Sequence, residues 1–173
     1  VRFHWDRKDA SSCWIRTMQS WAGAGWGGQF IPRAGMEVVV AFEGGDPDKP
    51  LVMGALYNAT HPSPFPLPAD KTRSGFRTQS SPVHGGYNEL SFQDASGSEQ
   101  IYLRAERDLT EDVTHDHQLH VRHDEHIRID GNRVDAVRGN LDQRVTGALT
   151  TRIEARERRD NQGPADLVYA DDL

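Results

Sequence analysis

Five histidines within twelve residues form the densest group of potential metal ligands in this 173-residue sequence: His115, His117, His120, His123 and His126. Neutral imidazole is the commonest ligand for zinc, copper, iron and nickel in proteins. The spacing matches neither the H-E-x-x-H motif nor a zinc-finger pattern. We therefore expect polar strand faces here and no metal or other cofactor. The alternative is metal bound by His115, His117, His120 and His123, in a site that would lie between chains.

The sequence contains no recognisable catalytic constellation. A lysozyme-type hydrolase needs two carboxylates flanking its substrate, and no such pair stands in a recognisable cleft sequence. Cys13 is the only cysteine, which excludes an intrachain disulfide and a cysteine zinc cage. We therefore predict no catalytic residues and no enzymatic activity, with a metal-dependent enzyme as the weakest alternative.

The run Gly23–Gly28 formally contains the dinucleotide pattern G-x-G-x-x-G. That chemistry requires a following helix whose N-terminus holds a pyrophosphate. Pro32 and the absence of helical periodicity argue against such a helix. The glycines therefore predict a turn or bulge between strands.

Four tryptophans in the first segment could stack on bases or sugars: Trp5, Trp14, Trp21 and Trp26. Residues 1–70 carry 6 basic and 7 acidic side chains, so they present no basic stripe for phosphates. We expect these rings to pack in a core or against another chain. A carbohydrate- or nucleic-acid-binding module remains the alternative function.

Charge and hydropathy restrict the partners further. Residues 106–173 carry 10 basic and 16 acidic side chains, which accounts for the whole net charge of −6 and argues against nucleic acid as a partner. No apolar run approaches the roughly 18 residues of a membrane helix, and residues 1–6 lack a signal-peptide layout. We expect a soluble chain without a classical export signal.

The elements that must position these residues are short strands. Residues rich in β-branched and aromatic types alternate with turn residues, which predicts strands at Arg2–Trp5, Cys13–Gln19, Glu37–Phe42 and Leu51–Leu56. The sequence from Asp46 to Lys49 suits a type I turn, so the last two strands should form a hairpin. Residues 1–60 thus predict a small β-barrel.

A proline-rich segment follows this barrel. Prolines recur at every second residue from Pro62 to Pro68, which favours an extended, polyproline-like linker. Beyond it, Asn88–Phe92 and Glu99–Arg104 alternate polar and apolar residues around the turn Asp94–Gly97. These two runs predict a hairpin.

An eight-residue repeat occupies residues 113–155. Six β-branched residues recur without a slip: Val113, Val121, Ile129, Val137, Val145 and Ile153. Gly131, Gly139 and Gly147 follow two residues after three of them, where glycine relieves a tight corner. The period suits one rung of a β-solenoid or of its intertwined relative.

This repeat predicts a trimer, because one chain carries only a thin apolar seam between charged residues. Such a seam cannot offset ordering entropy alone at about 25 cal/mol per Å². Three strands around one axis would bury it. We therefore place five side chains on the axis of a homotrimer: Val121, Ile129, Val137, Val145 and Ile153.

The motifs Arg2–Arg7, Trp21–Gly27, Phe30–Val38 and Gly54–Asn58 resemble the OB-fold domain of VgrG spike proteins of type VI secretion. The later segments resemble the neck and the triple-stranded β-helix of the same family. The resemblance implies a homotrimer similar to the phage central tail spike, assembled in the bacterial cytoplasm and injected into target cells. It also implies an Hcp tube, a PAAR-type tip protein and effectors as partners.

The fold class that follows is all-β. We expect an OB-fold-like barrel at 1–60, a proline-rich linker and neck hairpin at 61–108, and a trimeric β-helix at 109–173. The family usually has a strand upstream of Arg2, so we expect the barrel to be N-terminally incomplete. His115 and His123 occupy the glycine position of the first two repeats, so the regular β-helix could begin only near Ile129.

Overall fold

A computed structural model describes residues 1–7 and 12–156, and the chain divides into two units, Val1–His115 and Asp116–Leu173. Strands make up nearly all of the regular structure in this part of the chain, with one 3-10 turn at Glu43–Gly45. The strands are β1 (Arg16–Thr17), β2 (Glu37–Phe42), β3 (Pro50–Leu56), β4 (Arg73–Arg77), β5 (Glu89–Gln93) and β6 (Gln100–Arg104). The predicted all-β class is confirmed.

The first unit contains a three-stranded sheet in the order β1-β3-β2. β2 and β3 form the predicted antiparallel hairpin, with an irregularity between Val39 and Val40. Its turn closes as expected, because the Lys49 N–H donates to the Asp46 carbonyl at 2.9 Å and the Asp48 N–H donates to Asp46 Oδ1 at 3.1 Å. β3 runs between both neighbours, and this central place buries its Val52 side chain.

Of the strands predicted for this sheet, one is absent and one is shorter than predicted. Arg2–Trp5 forms a turn, and Cys13–Gln19 narrows to the two residues of β1, which pairs in parallel with β3. Both runs contain aromatic or β-branched residues, but propensity alone forms no strand without a neighbouring edge to pair with. In the described residues the sheet is open rather than closed into a barrel.

A second sheet has the order β4-β5-β6 and is antiparallel throughout. The predicted hairpin is β5 and β6, joined around Asp94–Gly97. β4 was missed because Gly75 at its centre weakens the strand signal. Glycine is required there: its φ is 149°, and a Cβ would lie 2.3 Å from the Leu90 carbonyl oxygen of β5.

The proline-rich segment is not the extended linker predicted for it. Residues 67–72 form a turn, and the Asp70 N–H donates to the Pro66 carbonyl at 2.8 Å. Phe65 is buried. A buried aromatic ring between the prolines anchors the segment to the second sheet, and this tertiary contact overrides the polyproline preference.

Beyond Arg104 the described residues contain no further strand. The backbone bends at regular intervals, at residues 114–115, 122–123, 130–131, 138–139, 146–147 and 154–155, with no regular secondary structure between the bends. The bends repeat every eight residues and include the two repeats in which histidine replaces glycine. The backbone period therefore starts before Ile129. No helix in the described part of the chain is long and apolar enough to cross a bilayer.

Candidate functional site

The apolar seam of the repeat region is exposed in the single chain. Its side chains retain between 44% and 54% of their accessible surface: Val113, Val121, Ile129, Val137, Val145 and Ile153. Val134, which lies between two seam residues, is 87% exposed. The seam residues are therefore the more sheltered apolar residues of this region, although none of the described residues covers them. A periodic row of apolar side chains open to water favours burial against other chains.

The backbone of this region offers a second kind of contact. From residue 117 to residue 156, no backbone-to-backbone hydrogen bond joins two described residues. Extended backbone with open donors and acceptors is the template on which another strand pairs. Both the seam and the backbone thus provide groups that a neighbouring copy can satisfy.

The histidine cluster does not assemble into a metal site within one chain. Across residues 1–7 and 12–156, no three His, Cys, Asp or Glu side chains lie close enough to hold an ion. His123 Nδ1 lies 3.0 Å from Asp124 Oδ2, and both side chains are exposed. His115, His117 and His120 are also exposed. The expectation that these residues carry no metal stays a prediction, because a site between chains would need three copies.

A polar cluster inside the second sheet was not expected from the sequence. Glu89 is buried, and its two carboxylate oxygens lie 2.6 Å from Arg73 Nη2 and 2.6 Å from Arg77 Nε. The Ser91 hydroxyl donates to Glu89 Oε1 at 2.7 Å. Glu89 and Ser91 alternate with Leu90 on β5, so both face the same side of the sheet. Every oxygen of the buried carboxylate is thereby hydrogen-bonded.

Aromatic rings enclose the guanidinium groups of this cluster. The Phe65 ring centroid lies 4.8 Å from Arg73 Cζ and 5.3 Å from Arg77 Cζ. The Tyr87 ring centroid also lies 4.8 Å from Arg77 Cζ. Arg77 Nη1 also donates to the Pro64 carbonyl at 3.1 Å. Through these cation–π and hydrogen-bond contacts the proline-rich segment covers the polar face of the sheet.

The opposite face of the same sheet is apolar and mostly exposed, although Phe30 stacks on Phe76 with ring centroids 5.7 Å apart. Large side chains there remain exposed in the single chain: Phe76, Leu90, Phe92, Ile101 and Leu103. The alternation was visible in the sequence, but an isolated amphipathic sheet normally buries its apolar side. Here the polar side is buried and the apolar side is exposed. An exposed apolar sheet face of this kind favours contact with another chain.

The cluster also controls the ionisation of Glu89. Burial by itself raises the pKa of this carboxyl, but the hydrogen bonds from Ser91 and Arg77 and the charges of Arg77 and Arg73 outweigh it. The pKa of Glu89 therefore lies below its ordinary value of 4.5. The ionised form is the one that the fold stabilises.

This shift predicts acid-sensitive stability of the neck. Because the folded-state pKa is the lower one, the contribution of Glu89 is fully present well above pH 4.5 and is lost as the pH falls through the folded value. Thermal melts between pH 7 and pH 2.5 should show Tm falling below about pH 4.5. In Glu89→Gln that part of the fall should be missing, and an identical profile in both proteins would contradict the assignment.

The tryptophans do not form a core of this chain. Trp5, Trp14, Trp21 and Trp26 are all exposed, so the core-packing expectation was wrong. Trp21 and Trp26 meet edge to face with ring centroids 5.2 Å apart. Contact with another chain stays a prediction.

The glycines between these rings form the turn that was expected. Ala22 and Gly27 pair as an isolated antiparallel bridge, and the Gly23 N–H donates to the Trp26 carbonyl at 2.9 Å. Gly25 has a φ of 81°, which favours glycine. This tight turn accounts for the glycine spacing without a bound dinucleotide.

Comparison with known families matches both units. Residues 74–166 match the family described as the bacteriophage T4 gp5 C-terminal trimerisation domain. Residues 1–57 match the type VI secretion system/phage-baseplate injector OB domain. The first match covers the second sheet and the repeats, and the second covers the first sheet. The three-stranded sheet at 1–57 is thus part of an OB domain.

Individual relatives are similar over most of this chain. It is 52% identical over 136 residues to the type VI secretion system spike protein VgrG4b of Pseudomonas aeruginosa, covering 76% of this chain and 17% of the relative. It is 47% identical over 134 residues to the spike protein VgrG3 of Vibrio cholerae, covering 75% of this chain and 13% of the relative. It is also 40% identical over 153 residues to the actin cross-linking toxin VgrG1 of Vibrio cholerae, covering 86% of this chain and 14% of the relative.

The chain thus spans less than a fifth of the length of these curated relatives. Within that span the order of parts is the one that the residues predicted, with an OB domain first and a trimerisation domain after it. The chain belongs to the VgrG family of spike proteins, of which it represents the OB domain and the trimerisation domain.

Proposed function

We propose that this chain is the structural shaft of a type VI secretion spike, which forms a homotrimer, punctures the target membrane and carries effectors across it. The observation that carries the proposal is the unbroken seam of β-branched residues, exposed along a backbone in which no backbone-to-backbone hydrogen bond joins two residues between 117 and 156. The trimerisation-domain match covers this seam.

The proposed axis contains Val121, Ile129, Val137, Val145 and Ile153. Three copies would bring fifteen such side chains together, which converts a thin seam into a continuous apolar core. Strands from the three chains would pair through the open backbone groups, so that unfolding one chain requires breaking its bonds to two others. A shaft built in this way resists bending under load.

Charged side chains dominate the remaining faces of the repeat and would form the outside of the shaft. A narrow, strongly hydrated exterior passes through a membrane under mechanical force without inserting stably into it. Within this proposal the chain has no catalytic role.

The partners follow from the family and are part of the same proposal. An Hcp tube would push the spike, a PAAR-type protein would form its tip, and effectors would travel with it. Assembly would take place in the bacterial cytoplasm, followed by injection into the target cell.

A mass measurement tests the assembly. Light scattering coupled to size exclusion should give three times the mass of one chain, with no dependence on loading concentration. A stable monomer would contradict the proposed function.

A chimera tests the mechanical role. If the matching segment of the Pseudomonas aeruginosa spike protein is exchanged for this chain, spike-dependent delivery should persist. The same exchange with Val137→Asp should abolish delivery, whereas Arg138→Asp should preserve it. Equal delivery by both variants would show that delivery does not depend on the proposed trimer axis.

A further inference from the structure

The repeat contains a second pattern besides the seam. If each octad starts at a seam residue, every leucine and isoleucine between residues 113 and 155 lies at the first, fifth or seventh position: Leu119, Ile127, Ile129, Leu141, Leu149 and Ile153. Because eight is an even number, strand alternation brings these odd positions to the same face in every octad. The face that carries the seam therefore also carries the fifth and seventh residues.

One octad departs from this pattern. In four of the five complete octads the fifth or seventh residue is Leu or Ile, but the octad Ile129–Ala136 has Arg133 and Asp135 at these places. Its only other large apolar residue, Val134, lies at an even position and is the 87% exposed side chain noted above. In this octad an oppositely charged pair thus takes the places at which the other four octads have Leu or Ile, and Glu125 is the one other acidic or basic residue at a fifth or seventh position.

The two side chains already pair within one chain. Arg133 Nε lies 3.1 Å from Asp135 Oδ1 and 2.9 Å from Asp135 Oδ2. These side chains are 55% and 62% exposed, whereas those of Arg128 and Asp130, a pair at even positions, are 88% and 81% exposed. The difference agrees with an inner location for Arg133 and Asp135 and an outer one for Arg128 and Asp130.

The seam alone cannot define how three chains align. Its residues are all Val or Ile, so a chain displaced by eight residues would place the same kinds of side chain on the axis. That displacement would, however, set Arg133 and Asp135 level with Leu141 and Gln143 or with Glu125 and Ile127 of a neighbour. A charge enclosed without its partner is strongly unfavourable.

We propose that Arg133 and Asp135 of three chains form a closed ring of six alternating charges, which fixes the axial register of the trimer. Each chain supplies one third of the ring, so the site is incomplete without its copies. A polar layer inside an apolar seam specifies register at a cost in stability, as in coiled coils. This inference rests on the trimer axis of the proposed function.

The test replaces the ring by the pattern of the next octad. The double variant Arg133→Leu, Asp135→Gln copies Leu141 and Gln143, and the control Arg128→Leu, Asp130→Gln changes the outer pair. All proteins are full chains with Cys13→Ser and a spin label on Asn140→Cys, an exposed even position. Pulsed spin-label distances report register directly, and light scattering reports the trimer.

The parent and the control should give one distance between labels. The double variant should remain a trimer and gain a second, longer distance between labels, because a chain shifted by eight residues moves its label along the axis by at most roughly 29 Å. Arg133→Leu alone should lower the apparent Tm by about 10 °C or more, because it leaves three unpaired carboxylates inside. Arg128→Leu alone should change it by about 2 °C or less.

The results separate the two proposals. A trimer of the double variant with one unchanged distance would overturn the register ring and leave the proposed trimer intact. Equal Tm losses for Arg133→Leu and Arg128→Leu would overturn it as well. A parent chain that forms no trimer would overturn the proposed function and this inference with it.

Discussion

Val137→Asp should abolish the trimer of this chain. Val137 belongs to the unbroken seam, is 54% exposed in the single chain, and would be tripled around the proposed axis. Three carboxylates would then be enclosed without partners, and each uncompensated buried charge costs several kcal/mol even after relaxation. Light scattering should show monomers or aggregates at concentrations where the parent is trimeric, and the cooperative thermal transition should be lost.

The neighbouring residue provides the matched control. Arg138→Asp introduces the same side chain one residue further on, at an even position that alternation directs away from the seam. Surface substitutions usually change stability by no more than about 0.5 kcal/mol. A trimer that survives Val137→Asp, or that is lost equally with Arg138→Asp, would show that the eight-residue seam is not the axis.

Glu89→Gln should produce the largest loss of stability in the neck. At pH 7 the substitution keeps the shape of the side chain but removes the charge that Arg73 and Arg77 share. Breaking a buried pair from one side costs about 3 to 5 kcal/mol, and the partial exposure of both arginines places the expected loss near the lower end. Hydrogen exchange of the β4, β5 and β6 amides should accelerate accordingly.

A surface ion pair in the first sheet serves as the comparison. Arg16 Nη2 and Glu43 Oε2 lie 3.1 Å apart, but both side chains are exposed. Exposed pairs contribute about 0 to 1 kcal/mol, so Glu43→Gln should leave exchange and melting nearly unchanged. Equal changes in hydrogen exchange and melting for Glu43→Gln and Glu89→Gln would show that the buried cluster stabilises the chain no more than an exposed ion pair does.

Features that depend on local sequence were predictable. β2 has the predicted bounds, and the hairpin of β5 and β6 was predicted to within one residue, because turn chemistry at Asp46 and at Asp94–Gly97 specifies both pairings. The octads were evident because six β-branched residues at a fixed spacing need no knowledge of tertiary structure. The positions of these strands and the period of the repeat are determined by local sequence.

Features that depend on long-range contacts were not predictable. β4 has a glycine at its centre and forms because β5 approaches closely at that residue. On β5 the buried side chains are Glu89 and Ser91 and the exposed one between them is Leu90, which is the reverse of the usual polar-out, apolar-in alternation. The reason lies 24 residues away in the chain, where Phe65 covers the arginines that pair with Glu89. Single-sequence patterning assumes that the apolar face is the buried one, and a chain built for an interface violates that assumption.

The even number of residues in the repeat has a consequence for how such a shaft can change in length. An insertion of one residue would turn every later side chain to the opposite face and expose the rest of the seam to water. An insertion of two or four residues would keep the faces but place each bend at a new level relative to the other chains. Only the addition or loss of eight residues preserves both the faces of the strand and the levels of the bends. Such a shaft can therefore lengthen or shorten in whole repeats while the segments before and after the repeats keep their geometry.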